Sequence, residues 1–195
     1  MIFALVLLAA YLIGAIPTGL LLTHLTGGGD IRQTGSGNIG ATNVYRSGGR
    51  KLGVLTLIGD ALKGALPVLA AITLLGYDPI HAGAVAVAAF LGHCFPVYLG
   101  FKGGKGVATA LGVYLVLSPL AVLVAFLIFA GLVWKTRYIS LGSICAAAAI
   151  PLLVWLTTGS FPLLLTTLVI SSIVILRHRA NVQRLFQGTE NKFKA

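Results

Sequence analysis

The sequence predicts an all-α polytopic membrane protein with seven transmembrane helices, the N-terminus outside and the C-terminus in the cytoplasm. Three observations carry that prediction. First, 57% of the 195 residues are hydrophobic and only 9% charged, with a mean hydropathy of +0.98; a soluble domain of this length has no core large enough to hide so much apolar surface. Second, the apolar residues gather in long runs, most of them near the ~20 residues that cross ~30 Å of hydrocarbon. Third, the basic residues fall at alternate connections between runs, so the 14 Lys and Arg against four acids read as a topology signal rather than a nucleic-acid surface.

The first run, Met1 to Thr23, has no basic n-region, exceeds the length of a signal h-region and shows no clear cleavage site, so it is expected to remain as a span. The connection after it holds Arg32, Arg46, Arg50 and Lys51. The second run, Leu52 to Leu75, carries Asp60 and Lys63 three residues apart. Charges inside a span are functional candidates, but this spacing favours mutual neutralisation. A connection without Lys or Arg leads to the third run, Ile80 to Tyr98, and Lys102 and Lys105 follow. The fourth run, Gly106 to Leu117, would make a helix only about 18 Å long, too short to cross alone. Ser118-Pro119 opens the fifth, Leu120 to Trp134, and Lys135 and Arg137 close it. The sixth, Ser140 to Thr157, starts at a serine suited to N-capping. The seventh, Phe161 to Leu176, ends in a tail with Arg177, Arg179, Arg184, Lys192 and Lys194. Thirteen of the 14 basic residues thus lie at alternate connections, and strict alternation with a cytoplasmic tail requires an odd number of spans. Cys94 and Cys145 fall inside runs and match neither a disulfide framework nor a metal spacing. No internal repeat is evident, and residues 1–195 read as one integral membrane domain.

The polar residues with chemistry to offer form three clusters, all on the expected cytoplasmic side. Gly35-Ser-Gly-Asn-Ile-Gly40 satisfies G-x-G-x-x-G, a pattern that predicts nucleotide binding only between a strand and a helix. Here an apolar helix precedes it, so the nucleotide reading fails. Two readings remain: a flexible loop with helix caps, or an anion site. In the second, Gly37 and Gly40 expose backbone amides, Ser36, Asn38, Thr42 and Asn43 add hydrogen bonds, and Arg46 adds a forked charge suited to phosphate. The second cluster, Gly92 to Gly106, is not a Walker loop, because Leu99 and Gly106 stand where that motif needs Gly and Ser or Thr. Its Gly103-Gly104-Lys105 opens the short fourth run, where a helix N-terminus attracts anions; the alternative is a snorkelling interfacial lysine. In the third, Arg177, His178 and Asn181 share one face of a helix, against a background of basic residues suited to anionic lipid. Ser143, one turn into the sixth run, either faces this cluster or bonds back to its own helix. For His24 and His93 the default is a satisfied core histidine.

In this order, the segments Gly35 to Arg46, Asp60 to Gly64, Gly92 to Thr109 and the tail around His178, Asn181 and Glu190 to Lys192 resemble the signature of the bacterial acyl-phosphate:glycerol-3-phosphate acyltransferases. The resemblance covers almost the whole chain. It implies an integral enzyme of the plasma membrane, active on the cytoplasmic side, that moves a fatty acyl group from acyl phosphate to the 1-hydroxyl of glycerol 3-phosphate. The products would be lysophosphatidate and phosphate, at the first step of phospholipid synthesis. Arg46, Lys105 and the basic tail would offset the repulsion of two phosphorylated substrates, and Lys105 with the Gly103 and Gly104 amides would stabilise the oxyanion or the departing phosphate. His178 or a substrate phosphate oxygen would take the hydroxyl proton. Ser36 as an acyl-enzyme nucleophile is disfavoured, since the chain has no G-x-S-x-G elbow. Arg177, Asn181, Ser143 and Glu190 complete the expected site.

The His-x-x-x-x-Asp arrangement of other glycerophosphate acyltransferases is absent. Carboxylates are too few for a dedicated divalent-metal cage, and no cofactor and no nucleic-acid partner are expected. A phosphate or organic-anion transporter is the alternative function, although such proteins place their site near the midplane between paired repeats. A noncatalytic recruiting subunit is a third. Oligomeric state and acyl-chain preference are not legible.

Overall fold

The computed structural model describes residues 1–193, and these form ten α-helices and two short 3₁₀ turns without a strand. The chain divides into two compact units, Met1–Val116 and Leu117–Ala195.

In the first unit the opening apolar run is not one helix. It breaks at Ile16-Pro17 into α1 (Ile2–Ala15) and α2 (Thr18–Leu25), bent by 45°, because proline has no N–H to continue the ladder and excludes a helical predecessor. A 3₁₀ turn at Ile31–Gln33 and a loop lead to the short amphipathic α3 (Ala41–Gly48), followed by α4 (Arg50–Thr73). Then come α5 (Pro79–Cys94), started by Pro79 and the Asp78 carboxylate that accepts the His81 N–H at 2.9 Å, a 3₁₀ turn at Val97–Leu99, and α6 (Val107–Leu117).

These helices approach through glycine. A Cβ at Gly14 would enter the Ala89 carbonyl, and one at Gly92 would enter the backbone of Tyr11 and Ala15, so α1 and α5 touch backbone to backbone at two levels. Gly64 against Thr109, and Gly112 against Ala61, do the same for α4 and α6. Small residues are the means of close packing where lipid removes the hydrophobic drive between helices. Leucine and isoleucine on the other faces of α4, Leu55, Ile58, Leu62, Leu66 and Leu69 among them, are exposed and suited to acyl chains.

The two charges of α4 are buried, Asp60 1% and Lys63 5% exposed. Lys63 Nζ lies 2.8 Å from Asp60 Oδ1, the neutralising pair expected from the spacing, and also donates to the Ile16 carbonyl at 2.7 Å. That second bond satisfies a carbonyl at the α1–α2 break, which water would otherwise have to reach.

The second unit holds α7 (Pro119–Thr136), α8 (Ile139–Thr158), α9 (Phe161–Arg177) and α10 (Arg179–Phe186). α7 packs on α8 with Gly142 against Phe129 and Val133, and Ser118 Oγ meets Thr157 Oγ1 at 2.8 Å at their far ends. α10 turns 53° away from α9 at His178. The tail then folds back: Phe193 N–H donates to the Arg137 carbonyl at 2.7 Å, and Lys192 lies over the Tyr138 ring.

Each of the seven apolar runs is helical. Among the described residues, four helical segments are long and apolar enough to cross a membrane (α4, α5 with its 3₁₀ extension, α7 and α8), or up to six if each bent pair is one span. The eleven-residue α6 falls short, as its run length required. α3 and α10 lie in segments expected to be connections or tail.

Two measurements test this architecture. Gly14→Val drives side-chain carbons into the α5 backbone, and the thermal midpoint in detergent drops by an amount matching about 1–3 kcal/mol or more, whereas Gly131→Ala, inside α7 with nothing within 4 Å of its would-be Cβ, does not lower it. Glu190 lies below the usual glutamate pKa: burial opposes this, but hydrogen bonds from Asn181, Ser140 and Arg184 and the nearby guanidinium outweigh it. A lowered carboxylate contributes stability that is present above its ordinary pKa and lost as pH falls through its folded value. Tail protection from protease therefore weakens on acidification below about pH 4–5, and Glu190→Gln flattens that dependence.

Candidate active site

The glycine-rich loop after α2 is held by its own buried asparagine. Asn43, 2% exposed on α3, accepts the Ser36 N–H at 2.8 Å and donates to the carbonyls of Ile31 at 2.9 Å and Thr34 at 3.1 Å. Asn38 Oδ1 accepts the Gly40 N–H at 2.9 Å, and the Gly37 N–H is donated to Thr34 O. Below, Ile31, Ile39 and Val44 pack with Leu20, Leu52 and Leu99 to pin the loop. Gly35 and Gly37 have φ of +58° and +68°, a region open to glycine, and a Cβ on Gly35 would also strike Asn43 Oδ1.

Much of the polar inventory of this loop is therefore spent on its own shape. What it presents outward is the exposed Ser36, the half-buried Thr42 in the first turn of α3, and the exposed Arg46 one turn further along. Thr42 and Arg46 are four apart on the helix, so hydroxyl and guanidinium share a face. Arg32 is committed elsewhere: its guanidinium forks onto Asp30, and this contact holds the Asp30 carboxyl down to about 2.

The second cluster sits on the end of α5. His93, 3% exposed, accepts the Gly104 N–H on its carbonyl at 3.1 Å, and its ring fills the place where a Gly104 Cβ would stand. Gly103 packs on the carbonyls of His93 and Cys94 and on Pro96. Lys105 follows, half-buried, and Gly106 lies over the Phe90 ring at a φ of +79°, just before α6 begins.

In the second unit His178, 3% exposed, sits at the corner between α9 and α10. Its Nδ1 is 2.8 Å from the Val174 carbonyl. A carbonyl only accepts, so Nδ1 carries a proton, and in the neutral ring the basic lone pair is at Nε2. Asn181 donates to Glu190 Oε1 at 2.7 Å, Ser140 Oγ to the same oxygen at 2.8 Å, and Arg184 Nε to Oε2 at 2.7 Å. Glu190, its side chain 5% exposed, is the hub that ties the tail to α8 and α10. Ser140 is not the N-cap of α8, which starts at Ile139 after Tyr138; it serves the tail instead. Ser143 bonds back to Ile139 O at 2.9 Å, one of the two readings its position allowed. Arg177 is half-buried in the last turn of α9.

The first unit thus gathers Ser36, Gly37, Asn38, Gly40, Thr42, Asn43 and Arg46 in one loop and helix, with Gly103, Gly104 and Lys105 in another; the second unit gathers Ser143, Arg177, His178, Asn181 and Glu190 around the α8 start and the α9–α10 corner. Sequence reading missed three structural partners. These are Asn43 as the staple of the loop, Ser140 on Glu190, and His93 beneath Gly104. For Asn43 a signal was available: it lies beside Val44 on the apolar face of a strongly amphipathic helix.

Known proteins resemble this chain over nearly its whole length. A family model described as glycerol-3-phosphate acyltransferase matches residues 4–188. A relative named glycerol-3-phosphate acyltransferase from Syntrophotalea carbinolica is 70% identical over 193 residues, 99% of this chain and 98% of that protein. One of the same name from Geobacter sulfurreducens is 60% identical, covering 95% of each chain. Among solved structures, PlsY (YgiH), an integral membrane glycerol 3-phosphate acyltransferase, superposes in its glycerol 3-phosphate form with a TM-score of 0.94 at 42% identity, over 100% of this chain and 96% of that one. Its lysophosphatidic acid form gives a TM-score of 0.93 at 41% identity, with the same coverage. An all-helical chain with apolar spans, polar clusters in this order and these relatives belongs to the glycerol-3-phosphate acyltransferase family of integral membrane proteins.

Proposed function

We propose that the protein transfers a fatty acyl group from acyl phosphate to the 1-hydroxyl of glycerol 3-phosphate, giving lysophosphatidate and inorganic phosphate, at the cytoplasmic face of the bacterial plasma membrane. The observation that carries this reading is the match over the full chain to a protein solved in both a glycerol 3-phosphate form and a lysophosphatidic acid form. Substrate and product of one acylation are thereby accommodated on one backbone. The donor, acyl phosphate, is what the resemblance of the three clusters implies, and cations and glycine amides in a lipid-embedded protein fit a phosphate that carries an acyl tail.

In this reading the seven apolar runs all serve as spans, with the N-terminus outside, and residues 1–195 are one acyltransferase domain. The acceptor hydroxyl attacks the acyl carbonyl carbon, the bond from that carbon to the phosphate oxygen breaks, and phosphate leaves with the electron pair. Arg46, Thr42 and Ser36 bind one phosphate. Lys105, with the Gly103 and Gly104 backbone, offsets the charge that develops on the oxyanion and the leaving group. Arg177 adds charge beside His178, and Asn181, oriented by Glu190, lies one turn beyond it. The hydroxyl proton has two candidate acceptors, His178 Nε2 and a substrate phosphate oxygen. An acyl phosphate is already activated, so holding two repelling dianions together is the larger task, and no acyl-enzyme on Ser36 is required.

Lys105→Ala and Arg46→Ala, purified as folded protein, lose about 10²–10³ in turnover, read as phosphate release from acyl phosphate that depends on glycerol 3-phosphate. Near wild-type turnover in either removes its assigned role. Uptake of labelled glycerol 3-phosphate into liposomes without acyl transfer would instead favour an anion transporter.

A further inference from the structure

One buried histidine has no part in the chemistry above, yet it touches the loop that delivers Lys105. His93 closes α5, and its ring is held among charged and small groups: Nδ1 lies 3.8 Å from Asp60 Oδ1, whose other partner is Lys63 at 2.8 Å. On the opposite side of the ring is Gly104. The three atoms nearest a Cβ built on Gly104 are Nε2, Cε1 and Cδ2 of His93, all ring atoms. Gly104 does not have the positive φ that marks Gly106, so no left-handed backbone excludes alanine there, and the nearest obstacle to a Cβ is the ring. The Gly104 N–H is meanwhile donated to the His93 carbonyl. One residue therefore grips Gly104 twice, by its main-chain carbonyl and by the Nε2 edge of its ring, one bond away from Lys105.

We propose that His93 is a positioning residue: its ring is the seat on which Gly104 rests, and this seat sets where the Lys105 ammonium and the adjoining amides meet phosphate. A seat is useful here because a displacement of an ångström at a charge-stabilising group is costly to turnover. Gly104 is glycine for closeness to the ring, and His93 is buried for the same contact. The Asp60–Lys63 pair, through Asp60, faces the far edge of the ring and connects the seat to the α1–α2 break, where Lys63 binds Ile16 O.

This rests on the acyltransferase reading, and a double-mutant cycle separates the two. In an otherwise wild-type chain, Gly104→Ala lowers kcat about tenfold or more while the KM for glycerol 3-phosphate changes less than about threefold. His93→Ala lowers kcat as well. In the His93→Ala background, where the ring is gone, adding Gly104→Ala costs less than about twofold, a strongly non-additive result. A merely structural role would reduce the yield of folded protein and its thermal midpoint, without making the effect of Gly104→Ala on kcat depend on residue 93. His93→Ser closes the same cycle if His93→Ala does not survive purification. Equal cost of Gly104→Ala in both backgrounds, or no cost in the wild type, overturns the seat. If the wild type itself releases no phosphate on adding glycerol 3-phosphate, the acyltransferase reading falls and the proposal with it.

Discussion

The first unit depends on one carbonyl. Pro17 breaks the opening helix inside the apolar part of the chain, and in hydrocarbon a backbone oxygen left at such a break has no water to turn to. Ile16 O instead accepts the Thr18 N–H at 3.0 Å and the Lys63 ammonium at 2.7 Å. A buried lysine demands a counter-charge, supplied by Asp60 one turn earlier on the same helix. The break in turn redirects α2, whose end launches the loop carrying Ser36 and the helix carrying Arg46. A polar residue pair deep in α4 is thus the condition for a bend that brings a hydrophilic segment out at one end of the unit.

Both units use the same device where the backbone becomes irregular. In the first, Asn43 fills its side-chain valences with two carbonyls and one N–H of the preceding loop. In the second, the Glu190 carboxylate gathers a hydroxyl, an amide and a guanidinium. Each is a polar centre with its hydrogen bonds satisfied, and such centres fix a unique arrangement because a partly paired alternative leaves a buried group stranded. The groups offered outward, Ser36, Thr42 and Arg46 in the first case, stand on ground prepared by residues that need not meet a ligand themselves.

The all-helical class and the positions of the apolar elements were legible in the sequence because a continuous apolar run near ~20 residues is the length of a spanning helix, which satisfies its backbone within itself. The Asp60–Lys63 pair was legible too, since three residues on a helix set two side chains on one face. The Ile16-Pro17 break falls at a proline within the first run, where unbroken hydropathy on both sides masks it. Long-range partners were not legible. Nothing local marks Ser140 for Glu190, fifty residues away, or His93 for the ring-to-backbone contact at Gly104, because those pairings are decided by how helices dock rather than by spacing along one of them. The three polar clusters were recognisable as clusters, but which members face outward and which brace the loop depended on burial that composition does not encode.

The reciprocal glycine contacts of α1 with α5 and of α4 with α6 carry one more consequence, for temperature. A soluble core forms by withdrawing apolar surface from water, and that process brings a large heat-capacity change and a stability that fades in the cold. Helices already immersed in acyl chains exchange one apolar neighbour for another when they dock at Gly14, Gly64, Gly92 and Gly112, so little water is released and the driving force is dispersion between closely apposed backbones. The helix contacts of this unit accordingly change with temperature along a line rather than a dome, and chilling the membrane does not loosen them as it loosens a water-driven interior.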